Sequence, residues 1–471
     1  MPAPLQLHPD RLFPPEPGVR AIARELYAQV RDLPIVSPHG HTDPAWFATD
    51  APFTDATQLL LTPDHYLLRM LYSQGVPLEA LGVTPTAAGA KVADARSAWR
   101  TFAAHYHLFR GTPSRLWLDW VFARVFELRV QLTAGTADQY FDHINERLGQ
   151  AGFRPRALFE RFGLEVLATT ESPTDPLSHH RAIRDSGWRG RVITAFRPDP
   201  VVDPEYEGFG QALAQLASLT GEDTGSYRGY LAALRTRRAY FASMGATSTD
   251  HGHPSAATAD LSGRAAEALF ARVTAPGFTP QEAERFRAHM LTVMADMSVE
   301  DGLVMQLHPG SFRNHNTALF HRFGRDRGAD IPVAMDYVRA LKPLLDRHGN
   351  DPRLTLILFT LDESTYAREL APLAGHYPAL RLGPAWWFHD SPEGMRRYRA
   401  QVTETAGFYN TVGFNDDTRA FLSIPARHDV ARRIDCGVLA QLVAEHRLEE
   451  AEAADLAVEL AYKLVKRAYR L

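Results

Sequence analysis

The sequence predicts an α/β protein, a distorted (β/α)8 barrel with a helical insertion after the first strand. Eight short apolar runs recur along the chain, and a helical pattern follows each of them, which is typical of parallel strands with crossover helices. The long stretch between the first two runs holds helical patterns only. An open doubly wound sheet would suit the strand number nearly as well. No Gly-rich phosphate turn follows any run, however, so a nucleotide-binding sheet has no positive support.

The strand candidates are short runs rich in β-branched and apolar residues, bounded by turn-forming residues. Their number matches the eight strands that a closed barrel requires. In chain order they cover residues 34–37, 164–169, 191–196, 246–249, 303–307, 354–360, 380–385 and 411–414.

The gap after the first strand is too long for a loop without structure of its own. Helical patterns at 63–73, 95–109 and 114–126 predict a helical insertion that forms a wall over the barrel mouth. A second, smaller helical elaboration at 203–243 precedes the fourth strand. We therefore divide the chain into an N-terminal segment with the first strand (1–50), the insertion (51–160) and the rest of the barrel with C-terminal helices (161–471).

Composition indicates a globular enzyme and excludes some partners. Of 471 residues, 45% are hydrophobic and 23% charged, and the net charge of −4 provides no basic field for nucleic acid or an anionic membrane. Residues 1–17 lack the order of a signal peptide. A single cysteine, Cys436, excludes an intrachain disulfide, so we expect a cytoplasmic protein. Cys436 lies in an apparent helix, 431–445, where a small buried residue is expected.

His39 and His41 follow the first strand and are separated by one glycine. Side chains two residues apart on an extended segment point to the same side, so both imidazoles can reach one divalent metal. With 20 histidines in the chain the motif alone is weak. Its position at a strand's carboxyl end, where barrel enzymes assemble their sites, strengthens it.

Polar side chains also follow several other predicted strands. Each has an ordinary structural explanation, because an aspartate can cap the next helix and a tryptophan can belong to the core. Their coincidence at strand ends favours a site, and a His, His, Asp set suits Zn²⁺, Mn²⁺ or Fe²⁺. The residues are Arg197, Asp199, Asp250, His251, His308, Arg313, Trp386, Trp387, Asp416, Asp417 and Arg419.

The positions of the four lysines argue against a Schiff base and against a lysine-bridged metal pair. Lys91, Lys342, Lys463 and Lys466 all lie in apparently helical stretches, so none is placed at a strand end to form a Schiff base or a bridging carbamate. Asp250 stands where a bridging lysine would be expected on the fourth strand. The sequence therefore predicts one metal ion rather than a lysine-bridged pair.

Several stretches together carry a family resemblance over nearly the whole chain. They are residues 37–44, 64–69, 108–115, 194–199, 249–252, 306–313, 385–388 and 417–423. On these stretches the chain resembles the uronate isomerases, the glucuronate/galacturonate isomerase family of the amidohydrolase superfamily. That family usually has a Thr-Asp-Ser-Arg-like string after strand eight, whereas this chain has Asn-Asp-Asp-Thr-Arg at 415–419. Spacing to Arg419 favours Asp417 over Asp416 as the matching aspartate.

The resemblance implies interconversion of D-glucuronate with D-fructuronate, and of D-galacturonate with D-tagaturonate, by metal-assisted proton transfer through a cis-enediol. Such a transfer needs a base at C2, an electrophile at the carbonyl oxygen and proton donors at the oxygens. The resemblance further implies that His39, His41 and Asp417 hold or border one divalent metal. Zn²⁺ is favoured for this set, with Mn²⁺ or Fe²⁺ as alternatives.

The remaining roles also follow from the resemblance. Asp417 or Tyr66 would move the proton, and His65 would orient Tyr66 or the sugar hydroxyls. Without the resemblance, Tyr66 would be taken as a half-buried aromatic. The substrate-binding group comprises three arginines for the carboxylate, two tryptophans that offer a flat face, Asp250, and His308, which is either a metal neighbour or a substrate partner. Its members are Arg197, Arg313, Arg419, His308, Trp386, Trp387 and Asp250.

Alternatives remain open at this point. One arginine could pair with Asp199 or Asp250 instead of substrate. The same residues could support a mononuclear metal-dependent hydrolase of an ester, lactone or amide, with Asp417 accepting a proton from water. A non-catalytic sugar-acid binder is a third interpretation. The expected partner is a small-molecule hexuronate, with no nucleic acid or membrane, and we expect a homo-oligomer.

Overall fold

The structure is a computed structural model, and it describes residues 3–87 and 89–471. Its strands are β1 (Ile35–Ser37), β2 (Leu164–Glu171), β3 (Val192–Phe196), β4 (Ser248–His251), β5 (Val304–Leu307), β6 (Ser311–Phe312), β7 (Ile331–Pro332), β8 (Leu356–Leu358) and β9 (Leu380–Leu382). The short strands β6 and β7 pair with each other.

The α-helices are α1 (Pro17–Val30), α2 (Pro44–Thr49), α3 (Ala56–Leu60), α4 (His65–Ser73), α5 (Ala95–His105), α6 (Pro113–Trp120), α7 (Ala137–Leu148), α8 (Pro155–Arg161), α9 (Ser178–Asp185), α10 (Asp199–Val202), α11 (Phe209–Thr220), α12 (Tyr227–Ser243), α13 (Gly263–Val273), α14 (Pro280–Asp301), α15 (Thr317–Phe323), α16 (Lys342–His348), α17 (Ala371–Ala374), α18 (Pro392–Ala406), α19 (Ile424–Ala444), α20 (Glu450–Val458) and α21 (Leu464–Tyr469). Short 3₁₀ turns cover Leu78–Leu81, Tyr106–Phe109, Ala134–Thr136, Ala151–Phe153 and Phe421–Ser423, and π-helical turns cover Val121–Val125, Tyr366–Leu370 and Glu459–Lys463.

The chain forms two compact units. The first comprises Met1–Glu165, Phe312–Ile331 and Asp416–Ala457. In it α19 packs along α1, and Arg432 of α19 donates hydrogen bonds of 2.9–3.0 Å to the carbonyl oxygens of Arg31, Leu33 and Pro34. These bonds hold the backbone directly before β1 in place. The amide of Ile35 in β1 donates to the carbonyl of Gly163, directly before β2 begins.

The second unit comprises Val166–Ser311, Pro332–Asn415 and Val458–Leu471. Its parallel strands follow one another in the order β2, β3, β4, β5, β8 and β9. Helices such as α12 and α14 pack on these strands and bury long apolar faces. The α/β class and the parallel strand order are as the sequence predicts.

The predicted (β/α)8 barrel is confirmed as a distorted one, and two details of the prediction were wrong. The fourth strand lies two residues later than predicted, so Asp250 and His251 belong to β4 rather than following it. Residues 411–414 form no strand; only a parallel bridge joins Leu382 to Thr411. Gly413 explains this, because its φ of +75° interrupts an extended chain.

The predicted helices of the insertion are present. Asp64, Asp94 and Thr112 accept hydrogen bonds from backbone amides at the starts of α4, α5 and α6, which explains where these helices begin. The core of the insertion is aromatic, with ring centroids 5.0–6.3 Å apart among Trp99, Phe102, Tyr106, Phe122 and Tyr140. The helical elaboration predicted at 203–243 corresponds to α11 and α12.

One lysine departs from the prediction. Lys342 and Lys466 lie in α-helices and Lys463 in a π-helical turn, but Lys91 lies in an irregular segment before α5. Helix formation begins only at the Asp94 cap, which explains the difference. None of the four follows a parallel strand, so the argument against a lysine-bridged pair of metal ions is unaffected.

Cys436 lies buried in α19, as predicted, and its burial raises the pKa of the thiol well above its usual range. Such a thiol is a packing residue rather than a nucleophile. Within residues 3–87 and 89–471, no helix combines the length and apolar character needed to cross a bilayer.

Candidate active site

His39, His41 and Asp417 meet in the first unit. The Asp417 Oδ1 atom lies 3.5 Å from His39 Nε2 and 3.2 Å from His41 Nε2. One donor atom from each residue falls within 4.8 Å of the other two. His39 is buried, whereas His41 and Asp417 are partly exposed, so one side of the group is open to small molecules. Two imidazoles and a carboxylate at such separations can bind one divalent metal.

The adjacent aspartates, Asp416 and Asp417, have different surroundings. The carboxylate of Asp416 is buried and accepts hydrogen bonds from Ser37 Oγ at 3.1 Å and from His428 Nε2 at 2.9 Å. Asp417 takes a φ of +33°, which turns its side chain away from that of its neighbour and toward the histidines. Asp416 therefore joins the end of β1 to α19, and Asp417 is the aspartate that faces the two histidines.

Helix α19 contributes further support behind this group. The guanidinium of Arg427 lies 3.6 Å from the ring centroid of Trp117 on α6, and its Nε donates to Ser423 Oγ at 3.1 Å. The imidazole of His428 is buried, and burial lowers its pKa although Asp416 opposes that effect. Buried polar residues on one helix thus hold the chain segment that carries Asp417.

His65 and Tyr66 open α4, where Asp64 caps the helix by accepting from the backbone amides of Tyr66 and Leu67. Their rings stack at 5.0 Å, and Tyr66 meets Trp117 edge to face at 5.8 Å. Burial, followed by the nearby Arg419 charge, lowers the pKa of His65 to about 3. His65 is therefore a neutral imidazole near pH 7, with one donor and one acceptor nitrogen.

Two candidate substrate arginines of the first unit have aspartate partners from one short segment. Arg419 Nη2 lies 3.1 Å from Asp326 Oδ2, and Arg313 Nη1 lies 2.9 Å from Asp330 Oδ2. Burial opposes ionisation of Asp326, yet the Arg419 guanidinium holds the pKa of that carboxyl below its usual value. Both arginine side chains remain more than a third exposed, at 35% and 37%.

In the second unit, Asp250 is the centre of a buried polar cluster. Its Oδ1 lies 2.7 Å from His308 Nε2, and its Oδ2 lies 3.3 Å from Arg197 Nη1. Arg197 Nε donates to Asp199 Oδ2 at 2.9 Å. Burial disfavours the charged forms of both Arg197 and Asp199. Even so, the guanidinium lowers the pKa of Asp199, and the carboxylates of Asp199 and Asp250 raise the pKa of Arg197. Arg197 thus pairs with both carboxylates that the sequence offered as alternatives to substrate.

Gly252 makes room for that cluster. A Cβ atom at this position would lie 2.8 Å from His308 Cε1 and 2.9 Å from Asp199 Oδ2, and closer still to Arg197 Nη2. The Gly252 amide donates to Asp199 Oδ1 at 3.1 Å. The backbone therefore approaches its polar neighbours more closely than any side chain would permit.

The two predicted tryptophans differ in exposure. Trp386 is buried and meets His308 edge to face at 5.0 Å and Phe359 at 5.9 Å. Trp387 is partly exposed and stacks on Phe388 at 5.0 Å. Trp386 therefore supports His308, and Trp387 is the tryptophan with ring area open to a ligand.

The structure groups the predicted site residues by unit. The first holds His39, His41, His65, Tyr66, Arg313, Asp417 and Arg419, and the second holds Arg197, Asp250, His308, Trp386 and Trp387. The sequence did not indicate Asp326, His428 or Arg427. Charged residues in a helix or a Gly-flanked loop usually face solvent, so composition gives no reason to single them out.

The family model described as glucuronate isomerase matches residues 19–469. A uronate isomerase of Rhizorhabdus wittichii is 74% identical over 469 residues, covering 100% of this chain and 99% of the relative. A crystal structure of glucuronate isomerase from Caulobacter crescentus superposes with a TM-score of 0.98 at 64% identity, covering 99% of this chain and 97% of that one. A uronate isomerase structure from Thermotoga maritima gives 0.91 at 25% identity, covering 98% and 99%.

Proposed function

This chain belongs to the glucuronate isomerase family, and from that premise we propose how its residues carry out uronate isomerisation. The reaction exchanges D-glucuronate with D-fructuronate, and D-galacturonate with D-tagaturonate. Each pair differs in the place of two hydrogens, one bound to carbon and one bound to oxygen, which move between the C1 and C2 centres. The observation that supports our assignment best is the convergence of His39, His41 and Asp417 at donor-atom separations within 4.8 Å.

We propose that this group binds one divalent cation. The donor set fits, because two imidazole nitrogens and one carboxylate oxygen leave further coordination positions for substrate or water. Zn²⁺ suits these ligands, and Mn²⁺ or Fe²⁺ are alternatives. A cation held there would supply Lewis acidity toward the carbonyl or hydroxyl oxygens of the sugar.

The substrate carboxylate is proposed to bind Arg419, with Arg313 as a second contact. Guanidinium groups bind carboxylates with paired hydrogen bonds, and both side chains are accessible. Arg197 is less suited to this role because it already contacts Asp199 and Asp250. We propose that it holds Asp250 and His308 in position instead.

The proton moved between the two carbon atoms requires a base on this chain. Asp417 is our first choice, because a carboxylate accepts a proton near neutral pH far more readily than a phenol does. Tyr66 is the second choice, and neutral His65, stacked on it, can donate to or accept from a hydroxyl. The base returns this proton to C1 of the cis-enediol, and a second proton passes from the C2 hydroxyl to the C1 oxygen, which gives the keto isomer.

The alternatives raised by the sequence are a mononuclear hydrolase and a non-catalytic sugar-acid binder. Full-length identity of 74% to a uronate isomerase favours isomerisation over both. For the metal group itself, hydrolysis would use the same ligands, so activity rather than geometry separates these two reactions.

The test is NMR of D-glucuronate and D-galacturonate incubated with metal-loaded protein in D₂O. We expect ketose signals, with deuterium at the exchanging carbon as the mark of proton transfer. The Asp417→Asn variant should lose turnover by a factor of at least about 10³ while remaining folded. Loss of turnover in Tyr66→Phe, with turnover kept in Asp417→Asn, would identify Tyr66 as the base. Asp32→Asn, at an exposed position, controls for the loss of one negative charge. Wild-type turnover by Asp417→Asn would contradict the role proposed for this residue.

We infer a cytoplasmic location, since one buried cysteine and no disulfide suit a reducing compartment. We also propose a homo-oligomer, because most soluble oligomeric enzymes are symmetric assemblies of one chain. Analytical ultracentrifugation tests the second proposal, and a monomer at assay concentration would contradict it.

A further inference from the structure

Asp417 lies between two contacts that join its segment to the end of β1. The carboxylate of Asp416, the residue before it, accepts a hydrogen bond from Ser37 Oγ at 3.1 Å. The carbonyl oxygen of Thr418, the residue after it, accepts one from the His41 amide at 3.1 Å. We propose that Asp416 is a positioning residue that sets the spacing between Asp417 and the two histidines and thereby the affinity for a divalent cation. The inference deepens the proposed function and rests on metal binding by that group.

The backbone of Asp417 needs such support because its conformation is unfavourable. Its φ is +33°, and residues other than glycine adopt a positive φ only at a cost in free energy. Surrounding contacts must therefore hold this residue, since an unrestrained chain would relax to a negative φ. That change would turn the carboxylate away from the histidines, whose Nε2 atoms lie 3.2 and 3.5 Å from Asp417 Oδ1.

The carboxylate of Asp416 makes a second contact that fixes its own position. Its Oδ2 atom accepts from His428 Nε2 on α19 at 2.9 Å, while Oδ1 accepts from Ser37, the last residue of β1. Ser37 lies two residues before His39, so one carboxylate bonds both to the strand that leads to the histidines and to a helix of 21 residues. The side chain of Asp416 is fully buried, so water does not compete for either bond.

Helix α19 is a suitable support because contacts with the N-terminal segment hold it. Asp429, the residue after His428, pairs with Arg11 at 2.5 Å. Arg432 donates to the backbone carbonyl groups directly before β1. The helix and the strand are therefore joined independently of Asp416, and this carboxylate positions its own segment relative to both.

The spacing of the ligands matters for affinity because a cation binds best to donor atoms that already stand in place. When ligands must first be ordered, that cost reduces the free energy of binding. Replacing a group that orients metal ligands typically weakens metal binding about 10- to 100-fold. The oxygens of Asp416 are engaged by Ser37 and His428, so it acts through Asp417 and is not a ligand itself.

The test measures the Kd of Zn²⁺ for metal-stripped protein by competition with a chromophoric chelator. Ser37→Ala keeps the charge of Asp416 and removes one of its hydrogen bonds, so we expect Kd to rise roughly two- to tenfold. Asp416→Ala removes both bonds, and its Kd should rise about 10- to 100-fold. Melting temperature shows whether each variant is folded. If Asp416→Ala does not fold, Ser37→Ala decides the question.

Ser298→Ala is the matched control, because Ser298 is equally buried, in α14 of the second unit, and its hydroxyl accepts from Arg238 Nη2 at 3.0 Å. It loses the same atom and one buried hydrogen bond, and its Kd for Zn²⁺ should equal that of wild type. An equal rise in this control would assign the effect to a general loss of stability and overturn the inference.

An unchanged Kd in folded Ser37→Ala would also overturn it. In the Asp416→Ala background, Ser37→Ala should raise Kd no further, because the contact is already absent. A full additional rise there would show that Ser37 acts without Asp416, contrary to the inference. Absence of Zn²⁺ binding by the wild-type protein would instead contradict the proposed function.

Discussion

At the scale of single residues, Gly252 leaves no room for an added atom beside the buried side chains of Arg197, Asp199 and His308. We expect Gly252→Ala to lower kcat/KM at least about tenfold, because an added methyl displaces Arg197, Asp199 or His308, and misplacement of about 1 Å can cost far more than that. Steady-state kinetics with melting curves provide the measurement. Gly263→Ala is the control, since no atom lies within 4 Å of the position that its Cβ would take. Equal kinetics for both variants would show that the cluster does not contribute.

Sequence reasoning at this scale depended on spacing along the chain. The His39 and His41 pair was predictable because alternation on an extended segment places both on one side. Asp417 was favoured by its spacing to Arg419, and the structure places it rather than Asp416 beside the histidines. Asp326 was not predictable, because its partner Arg419 is distant in sequence and the loop between Gly324 and Gly328 has no periodicity.

At the scale of elements, the segment of residues 312–331 depends on its contact with α4. Gly328→Ala should loosen it, because the added Cβ meets backbone and Cβ atoms of α4 that cannot retreat. We expect faster amide exchange in this segment and at Thr86, whose amide donates to the Arg322 carbonyl, together with about 1–3 kcal/mol of lost stability. Hydrogen exchange followed by mass spectrometry is the measurement.

Gly277→Ala is the control for backbone strain. Gly277 has a φ of +83°, close to the +77° of Gly328, but nothing lies within 4 Å of the Cβ position. Both variants therefore strain the backbone alike, and only Gly328→Ala creates a clash. If exchange in the segment were the same in the two variants, the contact with α4 would not be what holds it.

Element prediction succeeded where local chemistry was strong. The caps Asp64, Asp94 and Thr112 mark helix starts that could be placed to within a few residues. The prediction of an eighth strand failed because an apolar run with β-branched residues was given more weight than Gly413. This glycine has a positive φ and lies so close to Leu460 and Val465 that a side chain would not fit there. The two-residue strands β6 and β7 are too short to have a recognisable pattern.

At the scale of the whole molecule, buried neutral histidines make stability depend on pH. Burial lowers the pKa of His65 and His251 to about 3 and that of His180 to about 4. The unfolded chain binds protons at these positions below about pH 6.5, whereas the folded chain does not. Stability is therefore complete above about pH 6.5 and falls as the pH decreases toward the folded values, by about 1 kcal/mol per pH unit for each such group.

Urea unfolding between pH 7.5 and 5 measures this slope. His180→Asn should make stability depend less on pH, because it removes one buried imidazole with a lowered pKa. The His180 Nε2 atom lies 2.8 Å from the Thr169 hydroxyl, and the Glu171 carboxylate is further away, at 3.7 Å. His8→Asn, at an exposed position, should leave the slope unchanged. An identical slope for His180→Asn and wild type would contradict the assignment.

The barrel class was predictable at this scale because repeated strand and helix patterns allow few topologies. The assembly of distant polar groups was not, since Asp416 meets Ser37 and His428 through long-range packing that no local pattern encodes. The sequence thus indicated which residue types could form a site, and tertiary structure decided which of them are neighbours.

Cys436 gives this chain an internal reporter. It is the single thiol and lies buried in α19, the helix whose other side chains hold Asp416 and the approach to β1. A thiol reagent can modify it only in molecules in which that helix has opened. The labelling rate of one sulfur atom therefore measures how often the support of His39 and Asp417 is lost, without any assay of turnover.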